Sequence, residues 1–236
     1  MVKHGRLLVI GATGDVGLGI VSAALASGRS VVAAGRSANK LDELAASEAS
    51  ERLAVIVGDI ATEAGATALW EEAVTKFGGI DAVVVAVNAP ARLQPLMEMD
   101  VDELSAIAAA NLFTHFIAAK TFLPRLSDDG LCIGIGGGTA DFIVPKMTFI
   151  SMMQAALRMM YRGIARERKG GAELRELMIV SMVNGRSKRE RAQPEWLTEI
   201  EVGRHVCAIL DRPDEFPGPI LKLTAREQVG RSEREV

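Results

Sequence analysis

The sequence predicts one α/β domain, a doubly wound parallel sheet of about seven strands with helices on both faces. Three observations carry this. Seven short apolar runs rich in Val and Ile, at residues 7–10, 31–34, 53–57, 82–87, 131–135, 177–182 and 220–223, read as strands covered on both faces. Helical stretches at 16–26, 38–48, 63–77, 101–123, 151–168 and 195–210 lie between them, and such alternation implies parallel pairing. Lastly, 236 residues with 49% apolar composition can bury a large core, and no internal repeat or long linker divides the chain.

The first strand runs into Ile10-Gly-Ala-Thr-Gly14-Asp-Val-Gly17-Leu-Gly19 and then an alanine-rich helix. A strand that breaks into glycines before a helix aims backbone N–H groups and a helix N-terminus at one place. A side chain there would hold the backbone away from a pyrophosphate. Gly11, Thr13, Gly14, Asp15, Val16 and Gly17 are therefore read as a phosphate cradle of a Rossmann-type fold, with a plain tight turn as the alternative. The second strand ends in Ala34-Gly35-Arg36-Ser37, with no carboxylate until Asp42. NAD binders commonly place an acidic residue here to hold the ribose 2′-hydroxyl, whereas a guanidinium suits a 2′-phosphate. Arg36 and Ser37 thus point to NADP(H); the bland alternative is a solvated arginine opening a helix. Further on, Asp100 with Glu103 predicts a capping box on the fourth helix, and Pro194 suits the first turn of the last. The polar, basic connection 184–193 precedes that helix.

Composition excludes several classes. A net charge of −3 argues against a general nucleic-acid or membrane-surface binder. Cys132 falls in an apolar strand and Cys207 in a late helix. Neither has a metal-ligand partner at useful spacing, so no metal site is expected and both read as small buried residues in a reducing compartment. Met1 to Arg6 leads directly into the first strand with no signal-like apolar region, and no apolar run approaches the roughly 18 residues of a membrane span. A cytoplasmic location is expected.

Over nearly its full length the chain resembles the short-chain dehydrogenase/reductases. Gly11, Gly14 and Gly17 match the family's glycine-rich loop, with spacing closer to its extended or atypical members. Asp59 in Val-Gly-Asp-Ile, followed by Ile60, resembles the segment that contacts adenine. Asn88-Ala89-Pro90 resembles Asn-Ala-Gly after the fourth strand, with Pro90 in place of glycine. Asn111 falls where the family places its active-site helix Asn, and Asn184-Gly185 where Pro-Gly usually follows the sixth strand. The resemblance implies an NADP(H)-linked oxidoreductase acting on a small carbonyl or alcohol, as a homodimer or homotetramer. The cluster Met147, Met152, Met153, Met159 and Met160 fits an adaptable subunit interface, through helices 101–123 and 151–168.

The catalytic set departs from the pattern. In the family a Tyr passes the proton, a Lys four residues later lowers its pKa, and a Ser lies roughly 13 residues before. Aligning Gln154-Ala-Ala-Leu157 with the usual Lys-Ala-Ala-Leu puts Ile150 at the Tyr position, Gln154 at the Lys position, and glycines 136–138 at the Ser position. Asn111, Thr139 and Gln154 remain as catalytic candidates. The sole tyrosine, Tyr161, stands eleven residues past Ile150, about 16 Å along a helix and too far to replace it. The amides of 136–138 are read as an anion nest or a flexible turn, His115 as a structural histidine or proton relay, Lys146 as a surface cation, and Arg186, Lys188, Arg189 and Arg191 as a solvated loop or an anion attractor. Three functions stay open: an oxidoreductase with a non-standard proton relay, a catalytically silent dinucleotide- or partner-binding subunit, and a non-redox isomerase or dehydratase.

Overall fold

The computed structural model describes residues 3–88 and 92–232. Among them, strands form at β1 (Arg6–Ile10), β2 (Ser30–Gly35), β3 (Leu53–Val57), β4 (Ala82–Val85), β5 (Leu131–Gly137), β6 (Glu173–Ile179), β7 (Val183–Asn184), β8 (Leu197–Thr198) and β9 (Ile220–Leu223). Seven make one sheet in the order β3-β2-β1-β4-β5-β6-β9, parallel at every pairing. The short β7 and β8 form a separate parallel ladder. Helices are α1 (Asp15–Ala26), α2 (Ala38–Glu48), α3 (Glu63–Phe77), α4 (Val101–Ala108), α5 (Thr114–Phe122), α6 (Thr148–Glu167) and α7 (Glu199–Asp211).

Period-two alternation sorts the core into two layers. Leu7 and Val9 of β1 pack with α1, α2 and α7, while Leu8 and Ile10 pack with α3, α5 and α6. Winding proceeds outward from β1 through β2 to β3, then jumps to β4 on the other side of β1. Open parallel sheets bind ligands at such a reversal, outside the carboxyl ends of the strands. The loops after β1 and β4 therefore face each other across the crevice.

Several boundaries differ from the sequence expectation. β6 starts at Glu173 rather than 177, because the charges that interrupt its apolar run are accommodated. Arg175 is buried and donates to the carbonyls of Pro213 (2.8 Å) and Phe216 (2.7 Å). The last helix begins at Glu199, where Thr198 and Glu201 form a reciprocal capping box, so Pro194 lies outside it. Asp100 caps α4 by accepting from the Asp102 N–H at 2.8 Å, but Glu103 turns to Gln94 (2.7 Å) and no box forms. The expected helix 101–123 carries a π turn at Ala109–Phe113. With its flanks it runs Val101–Arg125, 25 residues apolar enough to match a membrane span, contrary to the sequence reading; half of its apolar window is buried within the domain, as in a core helix.

Candidate functional site

The glycine-rich segment turns tightly at the carboxyl end of β1. Gly11 has φ +78°, and a Cβ there would lie 2.4 Å from the Ala86 carbonyl oxygen at the end of β4. A Cβ on Gly17 would lie 2.1 Å from the Gly11 carbonyl oxygen. Both glycines are thus demanded by backbone packing. The Gly11 and Ala12 N–H groups donate to Ala34 O at 3.0 and 3.1 Å, which ties the turn to β2. Gly14 caps α1 with no side-chain hydrogen bond, leaving the first-turn amides to a ligand. A pyrophosphate fits this geometry, since bare backbone and a helix N-terminus meet at the topological reversal.

Beside it, Arg36 is exposed and has no hydrogen-bond or ion-pair partner among the described residues. Ser37 caps α2 by accepting from the Lys40 N–H at 3.4 Å. Asp59 is exposed after β3 and accepts from the Ala61 N–H at 2.8 Å, closing a turn, while Ile60 is buried. Asn88 is exposed at the end of the β4 loop; Ala89 and Pro90 lie outside the described residues.

The carboxyl end of β5 and the start of α6 are furnished differently. Ile150 is half-buried in the first turn of α6. Gln154 is buried and its Oε1 accepts from the Gly137 N–H at 2.7 Å. Gly136 and Gly137 stay in the strand, registered on Met178 and Ile179, so the expected amide nest does not form. Thr139 sits half-buried in the 3₁₀ turn Gly138–Ala140, its hydroxyl without an intramolecular partner among the described residues. Asn111 lies in the π turn and donates to Ile107 O at 2.9 Å.

His115 and Tyr161 are fully buried and bonded to each other at 3.0 Å. The other His115 nitrogen meets Val87 O at 3.1 Å. A carbonyl only accepts, so Nε2 carries the proton and the Tyr161 hydroxyl donates to Nδ1. Burial holds the imidazole neutral, its pKa down at about 4 despite the Val87 bond, and pushes the Tyr161 phenol well up. These two groups brace the core.

Sequence reading missed two features. The first is Glu176, fully buried, with neither carboxyl oxygen bonded among the described residues. A Cβ on Gly136 would lie 1.9 Å from its Oε1, so the glycine makes room for the carboxyl. Burial pushes its pKa up to about 7; nearby Arg158 opposes this and Asp141 adds to it. The interrupted apolar run at Arg175-Glu176 was the available signal. The second is the partner of Asp15. The Asp15 carboxylate accepts from the N–H (2.9 Å) and hydroxyl of Ser187, with Lys188 Nζ at 3.7 Å. Burial pushes the Asp15 pKa up, but the Ser187 bonds and Lys188 outweigh it and hold the group below its usual value. The segment Arg186–Arg191 is a docked 3₁₀ turn rather than a freely solvated loop.

The family model described as short chain dehydrogenase matches residues 6–172. The chain belongs to the short-chain dehydrogenase/reductase family. It is 27% identical over 165 residues to the 2,3-dihydroxy-2,3-dihydro-p-cumate dehydrogenase of Pseudomonas putida, a match covering 68% of this chain and 63% of that relative. The match thus spans under two-thirds of the relative's length. Among solved structures, a glucose/ribitol dehydrogenase-type member from Brucella melitensis superposes with TM-score 0.82 at 22% identity, covering 94% of this chain and 96% of that one. An NADPH-bound short chain oxidoreductase from Pseudomonas aeruginosa, whose catalytic center is described as atypical, has TM-score 0.81 at 19% identity, covering 93% and 95%. Both likenesses show the fold. Members of the family bind nicotinamide dinucleotides, and the Gly11–Gly17 cradle suits that group.

Proposed function

We propose that this chain is an NADP(H)-dependent oxidoreductase of a small carbonyl or alcohol, with a non-standard proton relay. The observation that carries the cofactor choice is Arg36, an exposed guanidinium with no partner among the described residues, standing at the carboxyl end of β2 where a 2′-phosphate would lie. Gly11, Thr13, Gly14, Asp15, Val16 and Gly17 would border the pyrophosphate, Ser37 the 2′-phosphate, and Asp59, Ile60, Asn88 and Ala89 the adenosine and the inner crevice. A bound nicotinamide would supply the hydride. On the protein side, Thr139 is the open hydroxyl nearest the usual Ser position, and Gln154 and Asn111 would orient substrate or an ordered water that passes the proton.

The name of the Pseudomonas putida relative and the NADPH in the Pseudomonas aeruginosa title support this reading. Titrating the protein with NADPH and NADH tests the cofactor half. The catalytic half is tested by NADPH oxidation across a panel of aldehydes and ketones. One observation favours a second reading, a silent dinucleotide-binding subunit: the Gln154 carboxamide oxygen is already committed to Gly137, and Ile150 carries no proton. We also infer a cytoplasmic homodimer or homotetramer. Its interface would use the exposed apolar side chains Phe113 and Phe116 on one helical run and Met152 and Met159 on α6.

A further inference from the structure

We propose that Asp15 is a positioning residue that fastens the segment Arg186–Arg191 as a strap over the cofactor cradle and so sets the rate of dinucleotide exchange. This rests on the NADP(H) reading above. The strap is held by carboxylates from three helices. Asp15 opens α1, Glu43 of α2 lies 3.5 Å from Arg186, and Glu199 of α7 lies 3.6 Å from Arg189. The outer contacts are loose, because the Arg186 and Glu43 side chains are each 64% exposed and Arg189 is 72% exposed. Exposed pairs of this kind contribute little. The Asp15 side chain is only 16% exposed and takes two hydrogen bonds from Ser187. Its contact decides where the strap sits. The approach is built in: a Cβ on Gly185 would lie 2.3 Å from the Asp15 Cβ.

The clasp does two things for a bound dinucleotide. A carboxylate one residue beyond Gly14 would repel a pyrophosphate arriving at the α1 N-terminus, and Ser187 with Lys188 absorbs that charge. The same contacts draw the strap across the place where phosphates enter and leave. Bound cofactor therefore leaves when Ser187 lets go of Asp15.

The test is stopped-flow release of NADPH, followed by nicotinamide fluorescence after displacement with excess NADP⁺. It compares the wild type, Asp15→Ala, Ser187→Ala and the double variant. Ser187→Ala removes the hydroxyl bond but keeps the Ser187 N–H bond, and should speed release about tenfold, the scale of one lost hydrogen bond to a charged group; Asp15→Ala removes both and should speed it more. The double variant should release no faster than Asp15→Ala, because the serine hydroxyl acts only through that carboxylate. Cofactor-free protein should also be cut sooner by trypsin after Lys188 and Arg189 in both variants. Additive effects in the double variant would mean that Asp15 touches the cofactor directly, and would overturn the strap. Unchanged release with NADPH still bound would overturn it too, leaving the NADP(H) reading intact. Absence of NADPH binding by the wild type would overturn that reading and the strap with it. Should Asp15→Ala fail to fold, Ser187→Ala on the exposed strap alone decides the matter by its release rate.

Discussion

The two sides of the crevice were treated differently by this sequence. Around β1 and β2, glycines 11 and 17 are held by contacts that admit no side chain, the α1 N-terminus is open, and Arg36 stands without a partner among the described residues. Around β5 and α6, the side chains are covered or already bonded: Ile150 is half-buried in the first turn of α6, Gln154 accepts from the Gly137 N–H, and Tyr161 is sealed in the core against His115. On the proposed reading, the first region binds the dinucleotide through backbone whose geometry the packing enforces, and the second passes its proton through a non-standard set of side chains.

The sharpest way to break this comparison is to refill the second region. Wild-type turnover of ordinary ketones with NADPH should be very slow, since positioned acid–base catalysis is worth about 10²–10⁴-fold. Gly137→Ser, Ile150→Tyr and Gln154→Lys together should raise it while leaving cofactor affinity largely intact, as read by steady-state NADPH oxidation. A Cβ on Gly137 would sit 3.5 Å from Gln154 Oε1, an ordinary contact, so a β-carbon is admitted there. Brisk wild-type turnover would instead show that the second region is working, and Thr139→Ala would be the next variant.

Next in size is self-association. Met159 is 62% exposed on α6 in the single chain. Burying a glutamate there in an interface costs several kcal/mol, so Met159→Glu should shift the protein toward monomer in light scattering. A wild type already monomeric at micromolar concentration would remove the proposed interface.

The core beneath β5 offers a third check, by pH. Glu176 ionises near 4.5 when unfolded and at about 7 when folded. The unfolded chain therefore loses its proton first, and stability falls as pH rises from 4.5 through 7. At 1.36 kcal/mol per unit the loss reaches roughly 3 kcal/mol. Glu176→Gln should recover most of that above pH 7 and little at pH 5, in denaturant titrations at both. His115 and His205 act in the opposite direction. Each is held by burial at about 4 against a usual 6.5, so stability falls as pH drops from 6.5 toward 4.

Legibility in the sequence follows the same division. All seven strands of the main sheet and the tight glycine turn after β1 could be read from apolar runs and glycine spacing, because both are dictated locally. The start of β6 could not, since Arg175 and Glu176 are accommodated by partners and space contributed by distant segments, the 213–216 turn and Gly136. The true start of α7 was hidden by Pro194, which favours a first turn but competes with the Thr198–Glu201 box four residues on. The Asp15–Ser187 contact spans 172 residues, beyond the reach of any local pattern. Asp15 was singled out for its place in the loop, and its partner was not.

The proposed function, an NADP(H)-linked oxidoreductase with a non-standard proton relay, is tested most directly at its cofactor half by calorimetric titration with NADPH and NADH. Charge-assisted contacts from Arg36 to the 2′-phosphate should contribute about 1.5–3 kcal/mol, or roughly a 10- to 150-fold preference for NADPH. Arg36→Ala should abolish that preference and leave NADH binding nearly unchanged. Equal affinity for the two cofactors in the wild type, or an unaltered preference in the variant, would contradict the account.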